Sequence, residues 1–292
     1  MTRQTVTRFA PSPTGLLHLG HAFAAFTARN LAEDAAGRFL LRIEDIDAAR
    51  CRPEFDAAIL EDLTWLGLDW DGLVRRQSAH MADYAAALAR LEQADLIYPC
   101  FCTRAAIKAE IARAGAAPHL SADAAEPIYP GLCRTLSTTE REDRKAEGQA
   151  YALRLDMAAA LARTGVLEWH DRAKGRVAAR PERFGDVVIA RKEMPTSYHL
   201  AATLDDHLQG VTLVTRGEDL FDATHVHRLL QALLGLETPD YAHHRLVTDA
   251  SGRRFAKRDK ALTLAALRAR GVTPQAIIAA LDAGAFDALF AA

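Results

Sequence analysis

His18-Leu19-Gly20-His21 sets two imidazoles around a glycine, just after the turn-rich stretch Ala10-Pro11-Ser12-Pro13-Thr14-Gly15. If a helix begins there, its free N–H groups and positive dipole end favour a bound phosphate, and the glycine lets that backbone approach closely. The two histidines add hydrogen-bond donors where charge builds during attack on an α-phosphorus. Taken alone, so short a motif reads as a pair of capping or surface histidines. It gains meaning from Arg253-Arg254-Phe255-Ala256-Lys257-Arg258 far downstream. A basic run is ordinarily solvated or touches nucleic-acid phosphate, but one flexible Lys beside a phosphate cradle can follow charge onto a leaving pyrophosphate. Three of the four cysteines, Cys100, Cys102 and Cys133, lie within one stretch. Short-spaced thiolates suit a tetrahedral soft-metal site, and the alternative is buried free cysteine.

The elements that must position these residues follow from local pattern. Thr5–Phe9 alternates and is rich in β-branched residues, so it reads as a strand. Gly20 to about Ala36 repeats at helical spacing before Gly37, and Phe39–Ile43 is a second strand. Strand, loop, helix and strand in about forty residues make a βαβ unit with a parallel sheet. Helices are expected at Pro53–Leu66, His80–Ala94 and Ala223–Leu234, and a helical end is capped by Thr273-Pro274. Strands are expected at Ala150–Leu155, Val166–Trp169, Ser197–Thr203 and Val211–Arg216. The texture changes near Tyr98, and residues 99–194 read as an insertion into the nucleotide-binding sheet. The expected division is a first catalytic half over 1–98, the insertion, a second half over 195–245, and a basic loop with a helical end over 246–292.

Composition narrows the classes. The 292 residues are 50% hydrophobic and 25% charged, which excludes disorder and a small disulfide scaffold. Thirty-six Lys and Arg against 38 Asp and Glu mean that any nucleic acid must meet a local basic face. Arg172, Lys174, Arg176, Arg180 and Arg183 form one candidate face and residues 253–260 another. They track an RNA backbone or are scattered solvated charge. The longest uncharged stretch, Ala10–Ala28, contains two prolines and two glycines, so no membrane segment is expected. Four cysteines in so long a chain point to a reducing, cytoplasmic setting.

Arg8-Phe9-Ala10-Pro11-Ser12-Pro13-Thr14-Gly15 running into His18-Leu19-Gly20-His21 resembles the opening of class I glutamyl-tRNA synthetases. Leu41–Asp47, Leu68-Asp69-Trp70-Asp71, Tyr198-His199-Leu200-Ala201, Asp205-Asp206-His207 and Thr215–Leu220 continue the resemblance. The segment Arg254–Arg258 is similar to the family's KMSKS loop, although only Lys257 is retained. Only 34 residues follow Arg258 (292 − 258), so no anticodon-binding domain is expected. The shorter core with a cysteine-bearing insertion resembles the glutamyl-Q tRNA(Asp) synthetase family.

The resemblance implies a class I Rossmann-like α/β catalytic domain with a zinc-containing insertion, acting as a monomer. It implies activation of L-glutamate by ATP, with Mg²⁺ and without tRNA, then transfer to queuosine at the wobble position of tRNA(Asp). It implies that His18, His21 and Lys257 are catalytic and, with Gly20, hold ATP. Arg8, Phe9, Ala10, Pro11, Ser12, Glu44, Tyr198 and Arg216 would form the glutamate pocket, with Arg8 and Arg216 on carboxylates and Glu44 on the ammonium. Structural Zn²⁺ would bind Cys100, Cys102, Tyr129 and Cys133, with His119 or Asp123 as rivals for the fourth place. Glu44 also ends a predicted parallel strand, where open α/β sheets place their ligands. The other readings are a tRNA(Glu)-charging core and a non-catalytic RNA-binding paralogue.

Overall fold

The computed structural model describes residues 3–107, 128–191, 194–248, 263–286 and 289. Its organising unit is β1 (Val6–Phe9), α1 (Leu19–Glu33) and β2 (Arg38–Ile43), with β1 and β2 parallel in the register Arg8↔Leu40. Ala22, Ala25, Ala28 and Ala32 are buried at helical spacing. These small side chains let α1 lie close to the sheet, where the Thr7 hydroxyl donates to the Ala28 carbonyl at 2.7 Å. Gly37 is required at the return into β2, because a Cβ there would stand 2.1 Å from the Thr5 carbonyl oxygen. The helix α2 (Pro53–Trp65) leads to β3 (Arg75–Arg76), which pairs in parallel with β2.

The second half rebuilds the pattern with β9 (Leu213–Gly217), α7 (Ala223–Leu234) and β10 (Asp240–His244). Strands β9 and β10 are parallel, pairing His243 with Arg216. The backbone joins the halves beside β1, where Thr212 N–H donates to the Val6 carbonyl at 2.9 Å. Within the span read as an insertion, β6 (Glu168–Asp171) pairs in parallel with β10 through Tyr241↔Asp171, and β7 (Gly175–Ala178) forms its hairpin partner. That pair therefore extends the sheet of β9 and β10 to four strands. A separate antiparallel sheet holds β4 (Ile97–Cys100), β5 (Ala152–Leu155) and β8 (Val188–Arg191), and the same stretch of chain carries α3 (Met81–Gln93), α4 (Thr138–Ala146) and α5 (Met157–Thr164).

One expected strand is a helix. Residues Ser197–Thr203 begin α6 (Tyr198–Leu208), not a strand. Ser197 caps it by accepting from Leu200 N–H, and Leu200, Ala201 and Leu204 bury one helical face. The cap and that spacing override the β-tendency of Tyr198 and Thr203. The opposite face is acidic and buried. Asp205 accepts from Arg75, Gln77 and Tyr84, and Asp206 accepts from Arg8 and Arg42 at 2.8 Å each. Removing one partner of such a buried cluster leaves an uncompensated charge, at about 3–5 kcal/mol.

The chain ends on α8 (Leu264–Ala269) and α9 (Pro274–Ala283). Thr273 caps α9 and Pro274 stands in its first turn, as expected. Asp62 on α2 is buried facing Arg268 of α8 at 3.6 Å, and among the described residues neither of its oxygens accepts a hydrogen bond. Burial pushes its carboxyl up to about 6, with Arg268 opposing. A raised carboxyl stabilises the fold while protonated, and that contribution is lost as pH rises through about 6. Asp62→Asn should therefore be more stable than the parent by about 2 kcal/mol at pH 8. The difference should vanish near pH 4, as read by urea unfolding at both values.

Candidate active site

The C-terminal ends of β1, β2 and β9 converge, as open parallel sheets require of a ligand site. Arg8 on β1 is buried, with Nε on Asp206 and Nη1 on the Thr215 carbonyl, each at 2.8 Å, which leaves Nη2. At the end of β2, Glu44 N–H donates to the Pro11 carbonyl at 3.0 Å, so the Pro-rich loop fixes this residue's backbone. Its carboxylate accepts from Arg42 Nη2 at 3.2 Å. Burial raises the Glu44 carboxyl above its ordinary range against the opposing charges of Arg42 and Arg8. Asp206 goes the other way. Burial raises it, but Arg8 and Arg42 outweigh burial and hold it low.

Arg216 on β9 is 6% exposed, and no described carboxylate lies within ion-pair distance of it. Its partners are neutral: Tyr198 Oη at 3.1 Å, His227 Nδ1 at 3.2 Å, Thr224 Oγ1 at 2.6 Å and His243 Nε2 at 3.2 Å. Burial first, then the Arg216 charge, keeps His227 well below its ordinary pKa and hence neutral. Tyr198, placed by the first turn of α6, accepts from Arg216 and so keeps its own O–H to give. Arg216 likewise has one Nη2 hydrogen left. Two adjacent donors on a buried cation suit a carboxylate. The charges of Arg216, Glu44 and Arg8 all act on the Tyr198 hydroxyl, so the predicted pocket residues converge there.

His18 caps α1, accepting from Gly20 N–H at Nδ1, and His18 N–H donates to His21 Nδ1 at 3.2 Å. The two rings are 3.8 Å apart. A Cβ on Gly20 would stand 3.0 Å from His18 Cε1, so glycine keeps this cap open. Thr263 bridges to His18, and Leu264 N–H donates to the Leu17 carbonyl at 2.8 Å. The chain thus returns to the histidine motif directly after the basic run. Lys257 and the rest of 253–260 lie outside the described residues.

Cys100, Cys102 and Cys133 bring their sulfurs within 4.8 Å of one another. Cys102 Sγ is 3.4 Å from Cys133 Sγ and 3.6 Å from Tyr129 Oη, which also accepts from Cys133 N–H. A tetrahedral ion with metal–sulfur bonds of about 2.3 Å needs sulfurs about 3.8 Å apart, and the cluster fits that spacing. Burial pushes the Cys102 thiol up to about 12. His119 and Asp123 lie outside the described residues. Arg172, Lys174, Arg176, Arg180 and Arg183 are all exposed, with Arg176 paired to Glu168 and Lys174 over the Phe221 ring.

The sequence reading assigned no role to Arg42, Thr224, His227 or His243. Alternation along β2 does put Arg42 on the same face as Glu44, which is the signal that would have found it. The fold and site together define a class I synthetase catalytic core, and the chain belongs to the class I tRNA synthetase (E and Q) catalytic-domain family, whose model matches residues 4–286. It is 51% identical over 278 residues to the Glutamyl-Q tRNA(Asp) synthetase of Rhodobacter capsulatus, covering 92% of this chain and 96% of that protein. A protein of the same name from Nocardia farcinica is 43% identical, covering 94% of this chain and 82% of its own length. Among solved structures, a glutamate tRNA ligase from Elizabethkingia meningosepticum in complex with its amino acid superposes with a TM-score of 0.72 at 28% identity. The match covers 88% of this chain but only 52% of that ligase, so the chain spans about half its length. Among the described residues, no helix is long and apolar enough to cross a membrane.

Proposed function

We propose that this protein activates L-glutamate with ATP and transfers it to queuosine in tRNA(Asp). The observation that carries the reading is the buried Arg216 guanidinium with no described counter-ion, converging with the largely buried Glu44 carboxylate on Tyr198. An amino acid with a second carboxylate supplies the missing anion and an ammonium for Glu44. One carboxylate takes the Arg216 Nη2 and Tyr198 hydrogens, and Arg8 Nη2 faces the other. The α-carboxylate oxygen then attacks the α-phosphorus in line, and pyrophosphate leaves. The start of α1 with His18 and His21 holds the phosphates, and Lys257 follows charge onto the leaving group. Mg²⁺ accompanying ATP would neutralise phosphate charge. Catalysis here is positioning and charge stabilisation. The similarity to proteins named for tRNA(Asp), over nearly the whole of both chains, supports the acceptor.

The test is labelled glutamate with ATP and tRNA(Asp) that carries or lacks queuosine. Label should follow the anticodon fragment after nuclease cleavage, only when queuosine is present, and an isolated anticodon stem-loop should suffice. A wobble base is already exposed, so presenting it to the adenylate costs little. Label on a 3′-terminal adenosine, or charging of tRNA(Glu), would assign the protein to ordinary aminoacylation.

The cysteine cluster would hold one structural Zn²⁺ through Cys100, Cys102, Cys133 and Tyr129. Metal analysis should return about one zinc per chain, and Cys133→Ser should lose it along with thermal stability. Tyr129→Phe should weaken retention. Unchanged zinc there, with loss in His119→Ala, would give the fourth place to His119.

A further inference from the structure

We propose that Asp171 and His243 are positioning residues that fix and electrostatically support Arg216 through a single imidazole tautomer. The inference rests on the glutamate-pocket reading only for its kinetic consequence; the tautomer itself follows from the described atoms. A guanidinium has donors and no acceptor. Arg216 Nε stands 3.2 Å from His243 Nε2, so that ring nitrogen must carry the lone pair. The ring proton is then on Nδ1, which faces Asp171 Oδ2 at 2.7 Å. Asp171 is itself fixed, since Oδ1 accepts from Ala173 and Lys174 N–H at 2.9 and 3.0 Å. Its Oδ2 also accepts from His243 N–H at 3.3 Å.

The sheet register imposes this chain of contacts. His243 is the cross-strand partner of Arg216, and Asp171 pairs with Tyr241 on the next strand over. All three side chains are buried, and Phe221 and Trp169 box the imidazole at 5.0 and 5.8 Å between ring centres. A carboxylate in direct contact with Arg216 would occupy the place a ligand needs. With a neutral imidazole between them, Asp171 supports the cation from a distance, aims Nε, and leaves the second Nη2 hydrogen, beside the one given to Thr224, for a ligand. The arrangement resembles the way an outer carboxylate fixes the tautomer of an inner histidine in other sites.

Asp171→Asn tests the link with little change of shape. The backbone N–H groups of Ala173 and Lys174 hold its carbonyl, so its amide N–H₂ faces His243 Nδ1 and also the His243 backbone N–H, which loses its acceptor. The imidazole must then accept at Nδ1 and carry its proton on Nε2, against Arg216 Nε–H. The expected result in glutamate-dependent ATP–pyrophosphate exchange is a glutamate KM raised at least tenfold, with the KM for ATP changed less than twofold. In His243→Gln a side-chain carbonyl can accept from Arg216 without any tautomer. Adding Asp171→Asn to that variant should change the glutamate KM less than twofold, whereas fully additive effects would overturn the relay. Nitrogen-15 spectra of histidine-labelled parent protein, with His243 assigned by its loss in His243→Gln, should show the Nδ1–H tautomer. An Nε2–H tautomer there overturns the proposal even if the Asp171 variant does not fold. Arg216→Ala separates the two readings. If it leaves the glutamate KM unchanged, the pocket assignment fails whatever the tautomer. If it raises that KM while Asp171→Asn does not, the relay fails alone.

Discussion

Arg216→Ala should raise the glutamate KM by roughly a hundredfold, while the KM for ATP changes less than twofold. Removing one partner of a buried, hydrogen-bonded charge pair costs about 2–5 kcal/mol, and roughly 3 kcal/mol is a factor of a hundred. Arg216 offers a buried cation with no described counter-ion, so its truncation removes the pocket's main attraction for a carboxylate. Glu44→Gln should act on the other end of the ligand. It keeps the shape and an acceptor for Arg42 but removes the charge facing the ammonium. Burial raises the Glu44 carboxyl, so in the parent a protonated fraction persists above the ordinary carboxylate range. Glutamate affinity should therefore climb as pH rises through that titration, because the ionised form binds the ammonium. Glu44→Gln should flatten the profile. Steady-state exchange across pH 5–8 with glutamate and ATP varied separately reads both effects. An unchanged glutamate dependence in both variants would place the pocket elsewhere.

Much of the frame is legible in sequence because it is local. The β1–α1–β2 unit follows from alternation, a Pro-rich turn, a capped helix and a glycine stop. Glu44 is legible too, as the charged residue directly after β2. The grouping around Arg216, beyond the Tyr198 that the family resemblance supplies, is not, because its four side chains come from three separated elements. His243 meets Arg216 across a strand pair, Tyr198 from α6, and Thr224 and His227 from α7. Nothing in the neighbourhood of any one of them announces the others. The placement of β6 is hidden for the same reason, since Asp171 pairs with a residue seventy positions later. Ser197–Thr203 misleads differently. Its aromatic and β-branched residues suggest a strand, while one serine cap and two leucines at helical spacing settle the outcome. The cysteine cluster stands between these cases. Cys100-x-Cys102 is local, but its meaning depends on Cys133 and Tyr129 closing on it over a gap that no periodicity spans.

Lys257→Ala should slow glutamyl-adenylate formation by about 10²–10³-fold while leaving the glutamate KM within twofold. That range is the usual cost of removing one preorganised donor from a site of developing charge. Thr263, six residues after Lys257, bridges to His18, and Thr263 also caps α8. Lys257 is thus separated from Thr263 by only five residues of chain. Its neighbours Arg254, Phe255, Ala256 and Arg258 replace the other positions of the loop pattern, so Lys257 alone retains the ammonium. Arg258 brings charge but imposes a planar fork, whereas an ammonium on a flexible stem can follow oxygen atoms as pyrophosphate separates. Its contribution should therefore fall on the transition state, lowering kcat and kcat/KM together. Lys257→Arg should recover only part of the rate. Single-turnover adenylate formation, followed by pyrophosphate release at saturating glutamate and ATP, isolates this step from transfer to RNA. A near-parental rate in Lys257→Ala would mean that His18, His21 and the start of α1 carry the leaving-group charge without the loop.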